Sequence, residues 1–226
     1  MNVALIMAGG SGNRMLAKEK KQFININGKE LIAYTLAEFY GNPEIDKVIV
    51  VTPEADLERM REICKAKFSQ DTIEVIAGGS IRQHSVINGL EACPAGTKLV
   101  LIHDAVRPFV NRIMLQELMQ IARKKKAVIP CSPVRNTIKR VNEGLILETI
   151  PREDLYNAQT PQVFEYDLIL KYHRLALEQE REFTDDSSIL EYFGIPVYFY
   201  LSDDSNFKIT EPHDLTIARL LLRGQK

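Results

Sequence analysis

Short apolar runs recurring between helical patterns constrain this chain more than any other feature. "VALIMA" (3–8), "VIVV" (48–51), "IEVIA" (73–77), "LVLIH" (99–103) and "AVIP" (127–130) alternate with helical periodicities near 30–41, 55–67, 80–91 and 112–124. Continuous Val/Ile/Leu runs, lacking in/out alternation, suit strands covered on both faces. Strand–helix repetition of this kind predicts an α/β fold with a mostly parallel sheet and helices on both sides. A chain of 226 residues is long enough to bury a full core and reads as one domain.

The pattern changes near residue 136. "NTIKRVNEGLILETIP" reads as two strands around the turn Asn142-Glu143-Gly144, with charges interspersed and little to bury. We read residues 136–156 as an arm that leans on a second subunit, with a plain surface hairpin as the alternative. Helices near 166–178 and 185–193, the strand "VYFYL" (197–201) and a helix near 212–223 follow. Gly194 stops the second of these helices, and Thr210 or Glu211 caps the last, ahead of Pro212.

With 29 basic and 30 acidic residues the net charge is −1, which gives no electrostatic reason to expect nucleic acid or an anionic membrane as partner. Any cationic site must be local. No apolar run reaches membrane-spanning length and no leader pattern is visible, so the expected compartment is the cytoplasm. The three cysteines, Cys64, Cys93 and Cys131, have no C-x-x-C spacing and are expected as reduced packing residues. The basic run Arg123 to Lys126 is expected as a solvated helix end.

In open α/β sheets ligands bind beyond the carboxyl ends of the strands, so the residues just after each run come first. "IMAGGSGNRM" (6–15) breaks from strand into glycines, whose backbone N–H groups can seat an anion. It is neither a dinucleotide fingerprint, since Met15 stands where a third glycine is needed, nor a Walker loop. Arg14 and Lys21, flanking this seat, are placed to bind nucleotide phosphates and to stabilise charge on an attacked phosphorus. Lys18 and Lys20 read as solvated. "AGGSIRQHS" (77–85) is a second glycine turn with Ser80 as the expected helix cap.

In "HDAVRP" (103–108), Asp104 is placed to hold Mg²⁺ bridging phosphate oxygens or, as the rival role, to cap the turn before Pro108. His103 reads as a packed or hydrogen-bonded histidine. No nucleophile–base pair is visible. An acceptor that is itself a phosphate monoester needs none, because with a second pKa near 6 it is already largely a dianion at neutral pH.

"AGGSGNRM", "KKQF", "GGSIRQHSV", "HDAVRPF", "PVRNTIKR", "AQTPQVF", "TDDSS" and "NFKIT" together resemble the 2-C-methyl-D-erythritol 4-phosphate cytidylyltransferases, in order and over nearly the whole chain. The resemblance implies a Rossmann-like homodimer in which the arm reaches across to the partner. CTP would lie on the first glycine turn, at Ala8, Gly9, Gly10 and Gly12, with Arg14 and Lys21 as catalytic cations. Gly79, Ser80 and Ser85 match positions around the cytosine, and Asp104 with Ala105 matches the region of metal and sugar. Thr137 and Arg152 of the neighbouring arm, with Lys208, would hold the acceptor phosphate, and Arg107, Thr160 and Thr184 match further acceptor-lining positions.

Two departures, "MAGG" and "HDAVRP", resemble instead the sister family of ribitol 5-phosphate cytidylyltransferases, whereas "NTIKR" and "TDDSSILEYFG" favour the methylerythritol enzymes. Lys20 replaces a proline often found before the catalytic lysine, and Ser80 stands where many members carry an acid. A non-catalytic nucleotide-binding module, and a transferase using UTP or ATP, remain as alternative functions at this stage.

Overall fold

The computed structural model describes residues 1–9, 19–68 and 72–223. Four parallel strands form the centre of its main sheet: β1 (Asn2–Met7), β4 (Lys47–Thr52), β5 (Ile73–Ala77) and β6 (Leu99–Asp104). β2 (Asn25–Ile26) and β3 (Lys29–Glu30) make a separate small hairpin. Beyond β6 come β11 (Gln162–Glu165), β7 (Ala127–Pro133) and β10 (Tyr156–Ala158). The strand order is β10-β7-β11-β6-β1-β4-β5, with β12 (Tyr198–Leu201) parallel to β7.

The apolar runs therefore sit where the sequence places them, and helices cover both faces. On one side α1 (Leu31–Phe39), α2 (Leu57–Lys67) and α4 (Arg112–Lys125) bury Leu36, Phe39, Met60, Leu115 and Leu118 against Ala4, Ile6, Val48 and Leu101. On the other, α3 (Arg82–Glu91), α5 (Tyr166–Glu178) and α6 (Asp186–Tyr192) pack Val86, Leu90, Ile169 and Leu190 on Leu5, Ile49 and Ile102. α7 (Pro212–Leu221) joins α1 and the β2–β3 hairpin in a third cluster around Ile26, Leu31 and Ile209. Burial of apolar side chains on this scale is what makes the alternating pattern a fold, since each stem-sized side chain contributes roughly 1.5–3 kcal/mol when removed from water.

Two strands of the main sheet escape the sequence pattern. β11 runs antiparallel between β6 and β7, and β10 is antiparallel to β7, so the sheet is mixed on that side. "AQTPQVF" mixes Gln159, Thr160 and Gln162 with a proline, and no apolar run announces it. The arm is present as β8 (Ile138–Asn142) and β9 (Leu145–Ile150), a two-stranded sheet of its own. Its turn uses positive φ at Glu143 (47°) and Gly144 (81°), the backbone that a two-residue hairpin turn requires.

Helix ends follow local chemistry. Asn111 caps α4 through Met114 N–H at 2.9 Å, and Asp185 caps α6 through Ser188 N–H at 3.0 Å. Glu211 is the N-cap of α7, and the Asp214 carboxylate accepts from the Glu211 and Thr210 N–H groups at 2.8 and 2.7 Å. At the end of α4 the expected solvated run is partly paired: Arg123 meets Glu44 at 2.5 Å and Lys126 meets Glu165 at 3.1 Å. Cys64 and Cys131 are buried and Cys93 is half-buried, all as free thiols. Among the described residues no helix is long and apolar enough to cross a membrane.

Candidate active site at the carboxyl edge of the sheet

The register brings three strand ends level. Met7 stands opposite Val51 on one side and Asp104 on the other. The chain leaving each strand is stitched to its neighbour: Ala8 N–H donates to Val51 O (2.8 Å), Gly78 N–H to Thr52 O (2.8 Å) and Ala105 N–H to Met7 O (3.1 Å). The turns after β1, β5 and β6 are thereby held on one crest, where parallel sheets present ligand sites.

The start of the first turn lies against the region after the second. A β-carbon built on Gly9 would stand 4.0 Å from Ser85 Oγ, so the start of the first glycine turn faces the first helical turn of α3. Ser85 ties that turn down, accepting from Gly79 N–H at 3.1 Å and donating to Ile81 O at 3.0 Å. Gly79 has no alternative in this arrangement, since an added β-carbon would fall 2.3 Å from His84 Cβ. Ser80 is not the helix cap expected from the sequence: Ile81 occupies that position, and the Ser80 hydroxyl instead meets His84 Nδ1 at 3.0 Å. The reason is geometric, for the turn runs one residue further before the helix starts, and no side chain caps it. Ala8 is buried and its carbonyl accepts from Gln22 Nε2 at 2.9 Å. Gly10, Gly12, Arg14 and Lys18 lie outside the described residues.

The third turn carries the charged centre. Asp104 is buried at the end of β6, and its Oδ2 meets both Arg107 Nε and Lys208 Nζ at 3.1 Å. Burial works to raise the pKa of this carboxyl, but Lys208, Arg107 and Arg82 outweigh it and hold the group at about 2. Asp104 is therefore an anion at any physiological pH. Its rival role, turn capping, falls to the backbone, where Arg107 N–H donates to Asp104 O at 3.2 Å. Arg107 is buried and also donates from Nη1 to Asn206 O at 2.9 Å. Ala105 is buried, its carbonyl held by the Thr35 hydroxyl at 2.9 Å.

Lys21 opens a short 3₁₀ turn (Lys21–Phe23), is buried, and donates from Nζ to Thr210 O at 3.1 Å. That carbonyl lies two residues from Lys208, so the chain at 208–210 gathers both lysines at the same edge. Lys20 stays part-exposed, as expected of a solvated lysine, but also meets both carboxylate oxygens of Asp56, at 2.7 and 2.6 Å. His103 is buried and hydrogen-bonded, as its sequence position suggested, and burial pushes its pKa down to about 4. Thr160 is also buried. Thr184 is exposed immediately before the Asp185 cap of α6.

The matching family model covers residues 2–224 and describes 2-C-methyl-D-erythritol 4-phosphate cytidylyltransferases. The chain belongs to this family. The protein of that name from Clostridioides difficile is 39% identical over 226 residues, covering 100% of this chain and 95% of the relative. The one from Clostridium acetobutylicum is 42% identical over 226 residues, covering 99% and 98%. Among solved structures, 4-diphosphocytidyl-2C-methyl-D-erythritol synthase from Anaerococcus prevotii superposes with a TM-score of 0.85 at 32% identity, covering 98% of this chain and 96% of that one.

Within this cytidylyltransferase, one chain does not bring the whole expected site together. Thr137 and Arg152 are exposed on the arm, where Arg152 contacts the Arg135 carbonyl. Among the described residues no hydrogen bond or ion pair joins either of them to Asp104, Arg107 or Lys208. Conversely, sequence reasoning missed two groups. Asn206 donates from Nδ2 to Thr160 O at 2.8 Å and, through its own carbonyl, holds Arg107. Asp186, fully buried, takes Arg82 in a two-pronged pair at 3.0 and 2.6 Å, with His173 Nε2 at 3.2 Å from Oδ1. Burial would raise the Asp186 pKa, yet Arg82 and His173 hold it far below the ordinary carboxylate range. Both lie in stretches quoted above, Asn206 in "NFKIT" and Asp186 in "TDDSS", but a polar residue in a motif does not say what it faces.

Proposed function

We propose that this chain joins CTP to 2-C-methyl-D-erythritol 4-phosphate, giving the CDP-polyol and pyrophosphate. The observation that carries this reading is buried Asp104 paired with Arg107 and Lys208, on the same crest as Gly9 and the glycine turn at 78–80. Such a crest seats a triphosphate on backbone N–H groups and offers cations on the acceptor side, with no protein base required.

In the proposed reaction an oxygen of the acceptor phosphate dianion attacks the α-phosphorus of CTP. The new P–O bond forms as the bond to the bridging oxygen breaks, and pyrophosphate leaves with that electron pair. Lys21, with Arg14, neutralises the charge that develops on the α-phosphoryl oxygens. Gly79, Ser80 and Ser85 are assigned to the cytosine side, Lys208 to the acceptor phosphate and Arg107 to the lining of the acceptor site. A divalent cation is compatible with the donor set. Among the described residues no three His, Cys, Asp or Glu side chains gather to hold a metal. A single ionised carboxylate nonetheless suits Mg²⁺, which keeps waters and shares substrate phosphates. Asp104 would hold it, and when bound it would offset triphosphate charge.

The acceptor pocket is proposed to be completed by a second copy of the chain, whose arm would supply Thr137 and Arg152. Exposed Val141, Leu145, Ile146 and Leu147, at 55, 70, 65 and 58%, support the reading that this arm packs on something. The proposed setting is the cytoplasm, where CTP is at hand.

The test supplies CTP and Mg²⁺ with 2-C-methyl-D-erythritol 4-phosphate or ribitol 5-phosphate and measures pyrophosphate release. Turnover with the first acceptor, and loss of kcat by orders of magnitude in a folded Lys21→Ala variant, are expected. Silence with both acceptors rejects the reading.

A further inference from the structure

His103 touches neither Asp104 nor Arg107 through their side chains, yet it sits beneath the turn that presents both. Its Nε2 is 3.0 Å from Arg107 O and its Nδ1 is 3.0 Å from Thr160 Oγ1. The same Thr160 Oγ1 accepts from Asp104 N–H at 3.1 Å. The ring lies tilted against Phe39, with centroids 5.0 Å apart.

The direction of every proton in this chain of bonds follows from what each group can do. A carbonyl only accepts, so Nε2 carries the proton it donates to Arg107 O. The Thr160 oxygen already receives Asp104 N–H, and its own proton, buried, needs an acceptor; Nδ1 is the acceptor in reach. The sequence of donation is then Asp104 N–H to Thr160 Oγ, Thr160 O–H to His103 Nδ1, and His103 Nε2–H to Arg107 O.

We propose that His103, as its Nε2–H tautomer, is a positioning residue that locks both ends of the 104–107 turn through the Thr160 hydroxyl and the Arg107 carbonyl. Thr160 thereby acts on Asp104 from behind. The inference deepens the proposed function and rests on Asp104 and Arg107 serving the substrates. The turn is where a small error matters, because a displacement of about 1 Å of a charged group at a reacting phosphate costs on the order of a hundredfold in rate.

The experiment uses the full-length enzyme with Thr160→Val, Thr160→Ser, His103→Gln, the Thr160→Val/His103→Gln pair and, as reference, Asp104→Ala. Thr160→Val is expected to lower kcat by roughly ten- to a hundredfold with an unchanged acceptor KM, while Tm falls by only about 2–4 °C. Thr160→Ser recovers most of the rate. The double variant is no slower than the slower single one, since both break the same lock. Long-range ¹⁵N–¹H correlation of histidine-labelled protein shows a protonated Nε2 and a bare Nδ1. A raised acceptor KM in Thr160→Val with additive losses in the pair overturns the inference in favour of direct contact. So does a protonated Nδ1 in the neutral ring, or wild-type kcat in both single variants. If His103→Gln does not fold, the two Thr160 variants and the spectrum decide. Full turnover by Asp104→Ala would instead sink the reading of the site itself.

Discussion

Replacing Arg82 by methionine should destabilise this protein at neutral pH and reverse the pH dependence contributed by its partner. Asp186 has no exposed surface, and its carboxylate takes two guanidinium hydrogen bonds, at 3.0 and 2.6 Å. Removing one member of a buried pair and leaving the other charge behind costs about 3–5 kcal/mol. The Arg82 side chain is 35% exposed, so water moderates the loss and the lower end, about 3 kcal/mol, is expected. For a chain of this size that is roughly 6–12 °C in Tm.

The sign with pH is opposite in the two proteins. In the wild type the Asp186 pKa is depressed, so its contribution is complete above the unfolded value of about 3.9 and is lost as the pH falls below it. In Arg82→Met burial dominates and the folded pKa rises above the unfolded one. The variant's penalty is then largest at neutral pH and shrinks as acid neutralises the carboxyl. Urea unfolding of both proteins at pH 7.5 and pH 5.5 measures this. Equal penalties at the two pH values, or less than about 1 kcal/mol at either, would refute the argument that the pair is a buried, uncompensated-on-removal contact. Because Arg82 begins α3 directly after the glycine turn at 78–80, the same variant should also raise KM for CTP.

Two further outcomes are expected. The enzyme should sediment as a dimer and Val141→Asp/Ile146→Asp, which charges a cross-strand pair on one face of the arm, should sediment as a folded monomer with little acceptor turnover; a wild-type monomer would reject the shared-site reading. The thiols should be nearly inert in the native state at pH 8, because burial pushes Cys64 up to about 11, Cys93 up to about 12 and Cys131 up to about 11. Rapid stoichiometric labelling of the folded protein would contradict that burial.

Sequence periodicity alone determined the central parallel strands, the helices on both faces and the arm, because an apolar run or stripe can be satisfied in few ways. It also located the crest residues, since chemistry in such sheets lies just past the strand ends and Asp104 and the glycine turns are local signals there. Strands β10 and β11 were illegible: Tyr156–Ala158 and Gln162–Glu165 become strands only by pairing with β6 and β7, which are distant in the chain. The pairing of side chains was hidden for the same reason. Lys20 finds Asp56, Lys208 finds Asp104 and Arg82 finds Asp186 across 36, 104 and 104 residues, and a charge by itself carries no record of its partner. Only the folded structure, which removes these groups from water and so obliges each to find a counter-charge or hydrogen bond, decided which lysines are solvated, which threonine is committed internally and which histidine holds the turn.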